Sequence, residues 1–266
     1  MPKTVLALAP HPDDAEFFAG GTLAAFADEG ARLVLLIATD GCRGSYDLDA
    51  ASLRALRREE AQRAAAVLGA EPPLFLDHPD FELERLAPGL LREQFVRAIR
   101  RVRPDVLVAQ DPLVPDEMHP DHRAVAWAAA EAVTFASLPL LHPEHRAEGL
   151  EPHFVLEKLF YRPRAEGANT IRDISATLER KQAALAEHSS QVTFLVEGVL
   201  REARAAGLNL AAVLGEAAND PAAALAWAVQ AEAAQIGAAG GVAFGEAFRA
   251  VRFHPLIESL LAAQAG

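Results

Sequence analysis

The chain has 266 residues, 51% of them apolar, which is enough for a sizeable core in one large domain or a domain with an appended subdomain. Its 37 acidic and 25 basic residues give a formal charge of −12, which argues against non-specific nucleic-acid binding, since a phosphate backbone needs a basic footprint. The single cysteine, Cys42, excludes an intrachain disulfide and points to a reducing compartment.

The N-terminal stretch MPKTVLALAPHPDD carries an apolar run too short for a signal-peptide core, and no stretch reaches the length of a membrane span. The expectation is a cytoplasmic protein without a membrane partner. Thr4–Ala9 (TVLALA) reads as a buried strand stopped by Pro10, and Ala15–Ala27 follows with helical spacing up to Gly30. Arg32–Ala38 (RLVLLIA) is a second strand, leading into the Gly/Asp loop TDGCRGSYD. Leu53–Leu68 is a strong helix ended by Gly69. Pro73–Leu76 gives a short strand, Leu90–Val102 a helix, Asp105–Ala109 a fourth strand, and Asp121 to about Phe135 a further helix. Apolar strands without period-two alternation, each followed by a helix, indicate a parallel sheet covered on both faces. The predicted fold is therefore a doubly wound, Rossmann-like α/β domain. Val155–Tyr161 and residues 170–174 (TIRDI) are candidate additional strands. From Ser175 onward the pattern is mostly Ala/Leu/Glu-rich helix, a C-terminal helical extension with breaks at Gly207, Asn219–Pro221 and Gly237–Gly241.

The triplet His-Pro-Asp occurs three times, at His11–Asp13, His78–Asp80 and His119–Asp121, each after a predicted strand. The carboxyl edge of an open α/β sheet is where ligands bind. Any one triplet alone reads as a loop and helix cap. Two go further: HPDD adds a second aspartate, Asp14, and HPDH adds a second histidine, His122. Two imidazoles and a carboxylate can bind a divalent transition metal and leave coordination sites for water and substrate. A neighbouring aspartate that is not a ligand can then serve as general base, and the cation offsets the repulsion of adjacent carboxylates. Ala19-Gly20-Gly21 is no dinucleotide fingerprint, because G-x-G-x-x-G is absent.

PHPDDAEFFAGGTLA together with HPDHRAV resembles the LmbE-like, or PIG-L-like, zinc-dependent N-deacetylases. TDGCRGS (39–45), RREEAQRAAAVLGA (57–70), EPHFV (151–155), KQAALAEHSSQ (181–191) and GEAFR (245–249) are similar to further segments of that family. The resemblance implies His11, Asp14 and His122 as zinc ligands, Asp13 as the base and His119 as an electrophilic or acid group oriented by Asp121. It also implies substrate contacts at Arg57 and Asp80, for each of which a structural salt bridge or cap is equally in keeping with the sequence. His78 competes for the metal on position alone. HPEH at 142–145 reads as a rim loop, His188 as structural, and Cys42 stands where the family commonly has an acidic residue.

Residues 192–243 have no counterpart in the resemblance. This divides the chain into an α/β deacetylase core (1–191), an alanine-rich helical excursion (192–243) and a C-terminal segment returning to the core (244–266). The function implied is metal-dependent removal of the acetyl group from an N-acetylated amino sugar, a GlcNAc-type conjugate being the small-molecule partner. Zinc is the expected metal, with iron, manganese and cobalt as alternatives, and a homo-oligomer remains open. The rival readings are a metal-dependent hydrolase of another amide, an ester or a phosphoester, and a nucleotide-binding or regulatory domain whose aspartates are caps.

Overall fold

The structure is a computed structural model and describes residues 2–114, 116–163, 165–210, 212, 220–252, 257, 259–261 and 263. In chain order the elements are β1 (Thr4–Ala9), α1 (Asp14–Asp28), β2 (Arg32–Thr39), α2 (Ala50–Leu68), β3 (Leu74–His78), α3 (Leu90–Val102) and β4 (Val106–Gln110). They continue as α4 (Pro120–Phe135), α5 (Glu144–Ala147), β5 (Glu157–Tyr161), β6 (Thr170–Asp173), α6 (Leu178–Glu187), α7 (Ser189–Ala205), α8 (Pro221–Gly240) and β7 (Gly245–Val251). The sheet runs β3-β2-β1-β4-β5-β7-β6. β3, β2, β1, β4 and β5 pair in parallel, and β7 lies antiparallel to both β5 and β6.

Alternate residues of each central strand serve opposite layers, which is why the strands read as continuous apolar runs. Leu6, Leu8, Val34 and Leu36 pack against Phe95, Val96 and Ile99 of α3 and Val125 and Ala129 of α4. Val5, Ala7, Leu33, Leu35 and Ile37 face Ala19 and Leu23 of α1, Ala61, Ala64 and Leu68 of α2, and Ala184 of α6. Each such fully buried Val, Leu or Ile contributes roughly 1.5–3 kcal/mol. α2 begins on the Asp49 carboxylate, which accepts from the Ala51 and Ser52 N–H groups, and ends on left-handed Gly69. A Cβ on Gly21 would stand 2.7 Å from Ile174, so close packing of α1 against the segment after β6 accounts for this glycine.

The sequence reading of a mostly helical chain beyond Ser175 misses β7. GEAFRAV places Glu246 and Arg249 among its apolar residues, and it gains strand character only by inserting between β5 and β6. Of the proposed 192–243 excursion, most of α7 and all of α8 are described. Residues 213–219 lie outside the described residues, as does much of the proposed C-terminal segment beyond 252. No helix among the described residues is long and apolar enough to cross a membrane.

The order of the strands reverses at β1, which has β2 on one side and β4 on the other. The loops leaving β1, β2, β3 and β4 therefore converge at one edge, at the kind of switch point where α/β sheets hold ligands.

Candidate active site

The loop after β1 is held by Thr39, whose N–H and hydroxyl both donate to the Pro10 carbonyl at 2.9 Å. This fixes His11 at the sheet edge and starts α1 at Asp14, in the first turn, where the helix field favours an anion. The loop after β4 ends in His119, whose Nδ1 accepts the Asp121 N–H at 3.3 Å and so caps α4, with Pro120 in its first turn. His122 is thereby presented in the first turn of α4. In this triplet the capping side chain is thus His119, with Asp121 already inside the first turn of the helix. The cap reading does not hold for Asp13, which occupies the N-cap position of α1 without any side-chain capping bond.

His11 Nδ1 lies 3.1 Å from Asp14 Oδ2 and 3.2 Å from His122 Nε2, and His122 Nε2 lies 3.5 Å from Asp14 Oδ1. Ligands of a tetrahedral zinc ion with bonds near 2 Å are roughly 3.3 Å apart, so the three donors fit a divalent cation. Their chemistry fits as well. The other nitrogen of each ring faces a carboxylate: His11 Nε2 is 3.1 Å from Asp80 Oδ1, and His122 Nδ1 is 3.1 Å from Glu117 Oε2. Such partners hold the outer proton and turn the free lone pair inward. Against the cost of burial, the His122 and His11 rings keep Asp14 well below the usual carboxylate range.

Asp13 sits beside this cluster at φ 145, a conformation few residues other than glycine adopt. Its Oδ1 meets Arg57 Nη2 at 3.0 Å. The same guanidinium donates to the Pro12 carbonyl at 2.8 Å and the Gly41 carbonyl at 2.9 Å. Burial, reinforced by Asp14, pushes the Asp13 carboxyl above its ordinary value against the opposing pull of Arg57.

The remaining predicted residues fall as follows. His119 packs on Phe81 with ring centroids 4.2 Å apart and lies edge-on to His11 at 4.6 Å. Burial and the neighbouring His11 and His122 rings lower its pKa to about 4, so it is neutral near pH 7. Because its Nδ1 accepts a hydrogen bond, the proton resides on Nε2. Asp121 reaches His119 through its backbone N–H rather than its carboxylate. That carboxylate is fully buried, accepts from the Phe81 and Leu83 N–H groups, and lies 3.5 Å from His11 Nε2.

Asp80 is 3% exposed, and both its oxygens are engaged, Oδ1 by His11 and Oδ2 by the Arg43 N–H. Burial opposes its charge, yet the His11 contact holds its pKa at about 2. Arg57 is likewise 3% exposed. Both residues line the pocket over the cluster and are at the same time engaged with its loops. His78 is outside the cluster, with Nε2 tied to Gln94 of α3 at 2.8 Å.

HPEH is not a rim loop. His145 is fully buried, with Nε2 2.7 Å from Glu93 and Nδ1 3.2 Å from Arg100. Arg100 also takes the Ala136 and Leu138 carbonyls, so this histidine helps fix the chain leaving α4. His188 is 1% exposed and 3.6 Å from Glu16, and Cys42 is half-buried with its N–H on Asp40.

Sequence reasoning missed Glu117. Its carboxylate gathers His122 Nδ1, the His119 N–H, the Gln110 amide and Arg162. The one local signal is an acid two residues ahead of HPDH, which is easily lost among the acidic residues of DPLVPDE. A cavity of about 420 Å³ opens over the cluster, with Phe17, Phe18, Phe81, Phe194 and Leu195 as its apolar walls and Asp13 and His119 within it. The sheet edge thus brings together three donors able to hold a divalent cation, the neighbouring Asp13 carboxylate and the His119 N–H donor.

Residues 6–133 match the family model described as PIG-L: GlcNAc-PI de-N-acetylase. The chain is 38% identical over 191 residues to diacetylchitobiose deacetylase of Thermococcus kodakarensis, covering 71% of this chain and 70% of the relative. It is 29% identical over 217 residues to a probable N-acetyl-alpha-D-glucosaminyl L-malate deacetylase 2 of Bacillus anthracis, covering 75% and 93%. Its fold matches the crystal structure of N,N'-diacetylchitobiose deacetylase from Pyrococcus horikoshii, solved with the inhibitor MPG, with a TM-score of 0.75 and 28% identity over 94% of this chain and 84% of that one. With its HPDD and HPDH loops joined at one sheet edge, the chain belongs to the PIG-L (LmbE-like) family and is a deacetylase of that family.

Proposed function

We propose that the chain removes the acetyl group from an N-acetylated amino sugar carried in a GlcNAc-type conjugate, with zinc held by His11, Asp14 and His122. The observation that carries this reading is the convergence of those three donors within 3.1–3.5 Å while Asp13, next in sequence, faces the same pocket and pairs with Arg57. When bound, the cation supplies Lewis acidity, polarising the acetamide carbonyl and lowering the pKa of water.

The residues of the chain do the rest. Asp13 takes a proton from the attacking water, a task suited to a carboxylate raised above its ordinary pKa by burial. Water oxygen bonds to the acetyl carbon, the C–N bond breaks, and the nitrogen receives the proton that Asp13 took from the water, giving acetate and a free amine. His119, neutral and protonated on Nε2, donates a hydrogen bond to the oxyanion that develops on the acetyl oxygen. Asp80 and Glu117 orient the His11 and His122 rings, and Arg57 and the Asp121 backbone N–H hold Asp13 and His119 in place.

Purified protein loaded with zinc is expected to release equimolar acetate and amine from N,N'-diacetylchitobiose. A chelator should abolish the activity, and added zinc should restore it. Metal-loaded protein that releases acetate from no GlcNAc-type substrate would refute the proposal.

A further inference from the structure

Beside the catalytic pocket lies a second cavity of about 500 Å³, within the roughly 300–1,000 Å³ typical of small-molecule sites. Phe17 and Phe18 of α1 line both cavities. The dividing wall is tied to His122. The Arg162 guanidinium lies over the Phe18 ring at 4.8 Å and donates to Glu117 at 2.8 Å, and Glu117 holds His122. The far side is built by α8 and β7, through Val229, Glu232, Ile236 and Glu246 among others.

Two features mark this cavity as built for a ligand. Lys181, 5% exposed, lines it, and its ammonium makes one hydrogen bond among the described residues, to Glu246 at 2.7 Å. An ammonium has three donors, and a buried one gains from acceptors for the other two. Asp116 and Glu232 also line the cavity; both are solvent-exposed and make no side-chain hydrogen bond or ion pair to the described residues. Both cations of the lining are already matched, Arg162 by Glu117 and Lys181 by Glu246, so no positive charge is left over for an anion.

We propose that this second cavity holds the aglycone of the conjugate, and that it selects a neutral polyhydroxylated ring, such as a second pyranose, over a carboxylate or phosphate. The inference rests on the deacetylase reading above. The N-acetylated sugar occupies the catalytic pocket, and the chain of the substrate crosses the Phe17–Phe18 ridge. Hydroxyl groups of the second ring donate to Asp116 and Glu232 and accept from Lys181, while its C–H face lies on apolar wall. The helical segment α8 thereby becomes part of substrate selection.

The test compares kcat/KM for N,N'-diacetylchitobiose, free GlcNAc and GlcNAc-malate in the zinc-loaded enzyme and in Glu232→Trp, Ala168→Trp and Glu232→Lys. Both tryptophans fill the cavity from positions outside the core, and zinc content and circular dichroism report whether each variant is folded. The expected result is a fall of about tenfold in the disaccharide-to-GlcNAc ratio for the tryptophan variants, carried by KM, as for loss of one or two hydrogen bonds. Glu232→Lys, which adds no bulk, should raise the malate-to-disaccharide ratio. Folded variants that leave these ratios unchanged would overturn the inference while leaving deacetylation intact. Wild-type enzyme that turns over none of the three substrates would overturn the deacetylase reading and this inference with it.

Discussion

Arg57 Nη2 meets Asp13 Oδ1 at 3.0 Å while the same guanidinium binds the carbonyls of Pro12 and Gly41, so one arginine ties the HPDD loop, the loop after β2 and the carboxylate proposed as base. Asp13 is held at φ 145, a conformation that costs on the order of 1–3 kcal/mol and persists only where its surroundings enforce it. A planar fork reaching three oxygens does this, and a lysine ammonium does not reproduce it. Arg57→Lys is therefore expected to retain zinc, lower kcat by about 10–100-fold and leave KM nearly unchanged, as for a misplaced catalytic group. Steady-state kinetics with metal analysis on the same preparation checks this. A raised KM at unchanged kcat would instead assign Arg57 to the substrate.

Glu117 stands behind His122 as Asp80 stands behind His11. Loss of such an outer partner typically weakens metal binding by about 10–100-fold. Glu117→Gln keeps the size of the side chain and removes its charge, so its zinc affinity should fall within that range in competition with a chromophoric chelator. Affinity equal to that of the wild type would show that Glu117 does not orient the ligand.

The sequence made the central sheet and the HPDD and HPDH loops legible for a physical reason: buried parallel strands need unbroken apolar runs, and paired carboxylates beside imidazoles need a cation. β7 was not legible, because its identity as a strand comes from inserting between β5 and β6 rather than from its own pattern. Glu117 was hidden because nothing local distinguishes it from its acidic neighbours until folding brings it to His122. Arg57 and Asp80 stood out in the sequence, but only the folded chain shows both side chains buried and engaged around the cluster. HPEH reads as a rim loop in the sequence, yet folding buries its His145 against Glu93 and Arg100.

Away from the site, burial lowers the pKa of His153, whose Nε2–H donates to the Pro104 carbonyl at 2.7 Å. The unfolded chain then binds more protons than the folded one as pH falls below about 6.5, so stability contributed by neutral His153 is present above that pH and is lost below it. Urea midpoints at pH 7.5 and 5.5 test this. His153→Gln, which cannot titrate, should show a smaller drop between the two pH values than the wild type. An equal drop would remove His153 from the account.

In the proposed reaction Asp14 binds the cation and Asp13 moves a proton. The most direct measurement is zinc content and deacetylation rate on the same preparations of Asp13→Asn and Asp14→Asn. Asp13→Asn should keep near-stoichiometric zinc while turnover falls by about 10²–10⁴, the span expected on loss of a general base. Asp14→Asn should lose zinc, with activity partly restored by excess metal. Zinc retained by Asp14→Asn and lost by Asp13→Asn, or full activity in both, would contradict the account.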